Sequence, residues 1–384
     1  MASVFNFTED QEMLRKAAKD FAMAEVAPKA AEWDEKDICP SELWPALGDL
    51  GVLGIFTPEE YGGVGMGHVE RAIFLEEISR YSGGLGIAIM THHLAMEALI
   101  KFGTEEQKQK YLPGLCSGKM IGGLSVTEPG GGSDFAGQVC AAEKTETGWT
   151  LNGRKCFITN AGMTDVNVII CKTGTDEKGR GILTAFVVES DTEGFKAGRH
   201  ENKLGLRGSL TGDVILDDCK VGEDALLGKV GEGSKLGMGA IGEVGRAGMT
   251  AICVGILRAS LEDASKFAKE RVVGGKPIAK LQAIQMLLGD LRADYEAAKA
   301  LLYIAASVKD DGKPAVTAFA TAKLFATEAA VKGARTCMDI MGGYGVINEY
   351  PVGRYLRDAL ASIPSGGTSQ IQRMIIAGDT LKNF

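Results

Sequence analysis

"TGWTLNGRKCFITN" (residues 147–160) interrupts the helical periodicity that runs on either side of it. Its aromatic and β-branched residues fit a pleated surface, and its Gly and Asn residues punctuate them as turns do. Three more runs share the pattern: "VNVIICKTG" (166–174), "ILTAFVVES" (182–190) and "TGDVILDDCKV" (211–221). Together they predict a compact domain of antiparallel strands between about residues 121 and 228.

Outward from this block the period becomes helical. "TEDQEMLRKAAKDFAMAEVAPKAAEWD" (8–34) carries Leu14, Ala17, Phe21 and Val26 at near-helical spacing, with Thr8 as N-cap and acidic residues after it. "TEEQKQKYLPGL" (104–115) has another capping start. After "KVGEGSKLGMGAIGEVGR" (229–246) the helical period returns and lasts to the end, with long stretches near 247–271 and 278–308. The expected class is α+β: an N-terminal all-α domain over 1–120, a middle antiparallel β domain over 121–230, and a C-terminal four-helix-bundle-like α domain over 231–384.

Composition narrows the function classes. A length of 384 residues at 45% hydrophobic and 24% charged suits two or three packed units. A net charge of -8 with no Lys/Arg-rich run argues against nucleic acid as a partner. The eight cysteines are scattered without a C-x-x-C, which argues against structural zinc and a disulfide framework and for a reducing compartment. Histidines are not spaced as ligands, so no metal is expected. The N-terminus shows no apolar signal core or transit pattern, and no apolar run reaches the roughly 20 residues that span a bilayer. The expectation is a cytoplasmic protein with no membrane insertion.

Glycine is high at 52 residues, and it clusters at the stretches that could carry chemistry. "LSVTEPGGGSD" (124–134) offers free N–H groups and the hydroxyls of Thr127 and Ser133 to a planar or phosphorylated ligand, or is a wide hairpin loop. Phe157 and Thr159 either back a flat cofactor or are a core Phe and a surface Thr. Glu243 and Arg246 stand one helical turn apart, and read alone they make a surface pair worth a few tenths of a kcal/mol. Arg271 precedes a Gly pair, and "MGGYG" (341–345) breaks helical sequence, where glycine costs up to about 1 kcal/mol. No G-x-S-x-G and no His-Glu-x-x-His occurs, which weakens hydrolase and metalloprotease readings.

Taken together and in order, "FTEDQEMLRKAAKDFA", "VTEPGGGSD", "LNGRKCFITN", "KLGLRGS", "RVVGGKPIAKLQAIQ", "IMGGYGVINEYPVGRYLRD" and "GGTSQIQR" resemble the flavin-dependent acyl-CoA dehydrogenases over essentially the whole chain. The resemblance implies FAD held by Leu124, Val126, Thr127, Gly132 and Ser133, and by Phe157, Ile158 and Thr159 behind the isoalloxazine ring. It implies Arg271, Gln282, Asp339, Gly342 and Gly343 at the adenine half from a neighbouring subunit, and Thr368 and Gln370 completing the pocket. Ser133, Glu243 and Arg246 would contact the CoA arm. Thr91, Leu94, Ala95, Gly366 and Gly367 would line the acyl site. A homotetramer passing electrons to an electron-transferring flavoprotein is implied as well.

One departure matters most. Most members read Tyr-Glu-Gly-Thr where this chain reads Ser365-Gly366-Gly367-Thr368, so the position of the usual catalytic base is Gly366. A minority carry that glutamate just before the arginine of "EVGR", which here is Gly245. His92 and His93, beside Thr91, are the remaining candidates for a base. The expected function is dehydrogenation, or reduction in reverse, of a non-standard (cyclic or substituted) acyl-CoA. The alternatives are redox-neutral elimination, such as sulfinate loss, and a silent flavin or acyl-CoA binding protein.

Overall fold

A computed structural model describes residues 6–383. Six helices come first: α1 Glu9–Phe21, α2 Ala30–Lys36, α3 Trp44–Asp49, α4 His68–Ser79, α5 Gly83–Phe102 and α6 Glu105–Cys116. Their starts follow local chemistry. The Thr8 hydroxyl accepts the Gln11 N–H at 3.2 Å while the Gln11 side chain accepts the Thr8 N–H, a reciprocal cap for α1. Thr104 and Gln107 repeat it at α6. Leu14 and Phe21 pack on the core, and Val26 is buried within it.

Eight strands follow: β1 Gly122–Ser125, β2 Ala141–Lys144, β3 Gly148–Thr159, β4 Val166–Thr175, β5 Gly181–Glu189, β6 Phe195–His200, β7 Thr211–Gly222 and β8 Leu226–Leu227. They make one sheet in the order β6-β7-β3-β2-β4-β5-β8, with β1 also on β4. The sheet is not wholly antiparallel as expected. β1 runs parallel to β4 from Gly122↔Val166 to Ser125↔Ile169, and β2 meets β4 in parallel at Ala141↔Lys172. The chain between β1 and β4 goes out and back through β2 and β3, so β4 re-enters in the direction of β1.

β3 pairs with β7 and slips register twice, the second time between Lys155 and Ile158. Phe157 lies inside that slip at φ 58°, a left-handed conformation rare for an aromatic residue. The bulge turns its ring outward, leaving it 64% exposed.

The chain then returns to helix in α7 Gly233–Ala240, a π turn at Ile241–Gly245, and α8 Arg246–Glu270. A short hairpin leads to α9 Gln282–Asp310, α10 Val316–Met341, α11 Val352–Ser362 and α12 Ser369–Asn383. Small residues set the helix spacing: a Cβ on Gly333 of α10 would lie 2.6 Å from Leu257 Cδ2 of α8. Contrary to the sequence reading, α5 and the helical run 233–270 are long and apolar enough to cross a bilayer, but both are almost entirely buried. They are core helices, which share that composition.

Candidate active site

The turn between α11 and α12 is fastened from beneath. Lys323, fully buried on α10, donates from Nζ to the carbonyls of Ile363 (2.7 Å) and Gly367 (2.9 Å). Gln372 Nε2 also donates to Gly367 O at 2.9 Å, and the Thr368 hydroxyl accepts the Ile371 N–H at 3.3 Å. Burial draws the Lys323 ammonium down to about 8. Gly366 and Gly367 take φ of 66° and 95°, conformations that glycine adopts without strain. A Cβ on Gly366 would sit 3.6 Å from Gly245 O and 3.9 Å from Met249 Cβ, while one on Gly245 would sit 3.5 Å from Leu94 Cδ2. Positions 366 and 245, the two at which the resemblance implies a carboxylate in other members, are therefore neighbours in space, and both are glycine.

α5 supplies the opposite wall, and the structure corrects the expectations for it. Leu94 abuts Gly245, whereas Ala95 is turned onto Gly122 of β1, away from Gly245. The histidines are packing residues. His92 Nδ1 accepts the Gly122 N–H at 3.0 Å and its ring stacks 5.6 Å from Trp44. His93 Nδ1 accepts Arg71 Nε–H at 3.1 Å, and its Nε2 lies 3.0 Å from Val52 O. Both are fully buried, and desolvation drives His92 down to about 4 and His93 well below its ordinary value. Neither fits the part of a base. Each successive helical residue turns through about a quarter of a circle or more, which carries 92 and 93 away from the wall that 91 and 94 share.

Glu243 and Arg246 do not pair with each other. Glu243 binds Lys101 (2.6 Å) and Lys309 (2.7 Å), which hold its carboxylate ionised and below its ordinary value although burial opposes this. Arg246 is buried; its Nη1 reaches Gly242 O at 3.5 Å, and its Nε has no partner among the described residues.

The glycine loop after β1 rests on a buried ion pair that the sequence reading missed. Glu128 accepts from Val139 N (2.7 Å), Cys140 N (3.0 Å) and Lys155 Nζ (2.7 Å), and Lys155 also reaches Gln138 Oε1 at 2.8 Å. The available signal was parity: Lys155 shares the inward register of Trp149 and Leu151 on β3. Above this anchor Gly130 and Gly131 face open space, Ser133 is exposed, and Gly132 lies against Thr127. Leu124, Val126 and Ile158 point their side chains into the core, leaving backbone for any ligand contact.

A second open region lies at the far end of α8 and α10. Arg271, with its guanidinium 5.3 Å from the Tyr344 ring centroid, joins Gly342, Gly343, Phe267, Ile278 and Ile347 around a cavity of about 610 Å³. Gln282 and Asp339 stand exposed outside that lining, and Gln370 is exposed on the first turn of α12. No cluster of metal-binding side chains occurs among the described residues.

The chain matches the acyl-CoA dehydrogenase N-terminal domain over residues 8–119, the middle domain over 123–219 and the C-terminal domain over 231–381. It belongs to the acyl-CoA dehydrogenase family. It is 42% identical to an acyl-CoA dehydrogenase of Bacillus subtilis, across 96% of this chain and 97% of that one. It superposes on the butyryl-CoA dehydrogenase of Megasphaera elsdenii with a TM-score of 0.95 at 38% identity, covering 98% of this chain and 99% of that one. A chain in a structure described as the electron transferring flavoprotein of Acidaminococcus fermentans also gives a TM-score of 0.95 at 38% identity, covering 99% and 100%.

This acyl-CoA dehydrogenase is thus an FAD-dependent oxidoreductase. Its own features fit that cofactor: an aromatic ring held outward by a bulge, an open glycine loop on a buried anchor, and an arginine beside a Gly-Gly break.

Proposed function

We propose that this protein dehydrogenates, or in reverse reduces, a CoA thioester with a cyclic or substituted acyl group, exchanging electrons with an electron-transferring flavoprotein. One observation carries the reading: Gly366 lies against the Gly245 backbone, and neither position holds a carboxylate. Oxidation of a saturated straight chain needs a base at the α carbon, and loss of such a base costs about 10²–10⁴ in rate. The Thr91 hydroxyl beside Leu94 is no substitute unaided. A substrate whose acidic C–H lies on another carbon, or is activated by a substituent, can lose its proton to water while the flavin takes the hydride, so that the penalty is smaller. The missing side chains at Gly245 and Gly366 leave room of about one Cβ each beside such a group.

The remaining residues take supporting parts. The Gly366 N–H polarises the thioester carbonyl, as a fixed donor does for a developing oxyanion. Ser133, Glu243 and Arg246 hold the CoA arm. Thr127, Phe157, Thr159, Thr368 and Gln370 seat the flavin, and Arg271, Gln282, Asp339, Gly342 and Gly343 hold its adenine half across a subunit boundary in a cytoplasmic homotetramer. Bound FAD supplies the two-electron acceptor. The likeness to a butyryl-CoA dehydrogenase over nearly the whole chain supports the acyl-CoA part.

Anaerobic mixing of the flavin-loaded protein with linear, branched and cyclic CoA thioesters tests this. Bleaching of the flavin by a cyclic or substituted thioester, and reoxidation by an electron-transferring flavoprotein, is expected. Bleaching by butyryl-CoA alone would refute the non-standard substrate.

A further inference from the structure

We infer that the acyl site ends on Arg71 and selects thioesters whose far end carries a carboxylate. The inference rests on the acyl-CoA reading and concerns which far end of the acyl group is bound, not how its proton is removed. Arg71 sits on α4 and is 1% exposed. Its Nε donates to His93 Nδ1 at 3.1 Å and its Nη2 to Val244 O at 2.9 Å, and both acceptors are uncharged. Nη1 makes no hydrogen bond among the described residues. The carboxylate that supports the guanidinium electrostatically, Glu97, is itself bound to Lys101 at 2.5 Å. Desolvation draws Arg71 down to about 9, so at neutral pH it remains a cation. A buried charge without a partner anion is costly, and a ligand that brings the anion removes that cost.

Its location identifies the ligand. A Cβ on Gly248 would lie 2.8 Å from Arg71 Nη2 and 2.5 Å from Met90 Cγ. Gly248, in the first turn of α8, follows Gly245 of the preceding π turn by three residues, so it lies on much the same face about 5 Å farther along the axis. Gly245 in turn meets Gly366 and Leu94, where the reacting end of the acyl group is proposed to lie. Met90 and Leu94, four residues apart, line the same side of α5. The guanidinium therefore stands beyond the reacting carbons, within reach of a short chain's far end. Its planar fork matches a carboxylate, with Nη1 free to bond it.

Calorimetric titration of the oxidised, flavin-loaded protein with matched pairs tests the inference without turnover: butyryl- against succinyl-CoA, and valeryl- against glutaryl-CoA. The carboxylate-ended member of each pair should bind about ten- to hundredfold more tightly. Arg71→Met should bring that ratio close to one, and Arg71→Lys should keep part of it. The ratio is internal to each protein, so a general loss of stability does not mimic the effect. Equal binding within each pair by the wild type, or a preference that both variants retain in full, overturns the inference and leaves the acyl-CoA reading standing. If no thioester binds while FAD does, the acyl-CoA reading fails, and the inference fails with it.

Discussion

Gly366→Glu restores a carboxylate at a residue whose φ is 66°. An L side chain in that left-handed region costs about 1–2 kcal/mol. Space is not the obstacle, because the first contacts of the new Cβ are ordinary ones at 3.6 and 3.9 Å. The Lys323 ammonium, bound one residue on at Gly367 O (2.9 Å), favours the new negative charge. The variant should therefore fold and bind FAD with an unfolding free energy lower by about 1–2 kcal/mol. It should also reduce its flavin with butyryl-CoA about 10²–10⁴ times faster than wild type, the usual contribution of a general base. Urea unfolding and anaerobic stopped-flow reduction measure the two effects. Gly366→Ala is the control, with the same strain and no base: equal destabilisation, no gain in rate. If Gly366→Glu retains flavin and thioester yet is no faster than Gly366→Ala, position 366 does not face the α carbon and the reasoning fails.

Other expectations follow from the same contacts. Lys323 has a folded pKa of about 8, below the ordinary 10.5, so between those values the unfolded chain keeps a proton that the folded chain has released. Stability from this group should rise with pH across that window, and the wild-type advantage over Lys323→Met in urea should widen accordingly. His92→Asn and His93→Asn should show no rate loss of the size a base would give, in single-turnover flavin reduction, though His93→Asn should lose about 1–3 kcal/mol by disturbing the buried Arg71 bond. Glu128→Gln breaks the buried pair with Lys155 and should cost about 3–5 kcal/mol in urea unfolding while weakening FAD binding, since the same carboxylate fastens the glycine loop through Val139 and Cys140.

What the sequence made legible was mostly local. The caps at Thr8 and Thr104 depend on residues three positions apart, and the strands announce themselves by β-branched runs between turns. The Gly366–Gly367 turn reads directly, because only its backbone conformation is at stake. What stayed hidden depends on register and on distant partners. Phe157 is a typical core residue until a bulge against β7 turns it outward. β1 came out parallel because that depends on where β4 returns, not on its own four residues. His92 and His93 follow Thr91, the residue expected at the acyl site, yet rotation about the helix sends them into packing against Trp44 and Phe56. Glu243 looked like the partner of Arg246, but lysines from α5 and α9 claim it. Arg71, inside the stretch "VERAIFLEEI" (69–78), does not stand out in sequence because its significance lies in the uncharged partners that α5 and the π turn give it.

The central claim is that no group in this acyl-CoA dehydrogenase removes the α proton of a saturated straight-chain thioester. Incubating the flavin-loaded protein with butyryl-CoA in deuterium oxide and measuring α-deuterium incorporation by mass spectrometry tests this most directly. Incorporation no faster than in a protein-free control is the expected result, with Gly366→Glu as the variant that gains exchange. Rapid α exchange by the wild type would contradict the account, because it would mean that a competent base reaches the α carbon from somewhere other than positions 366 and 245.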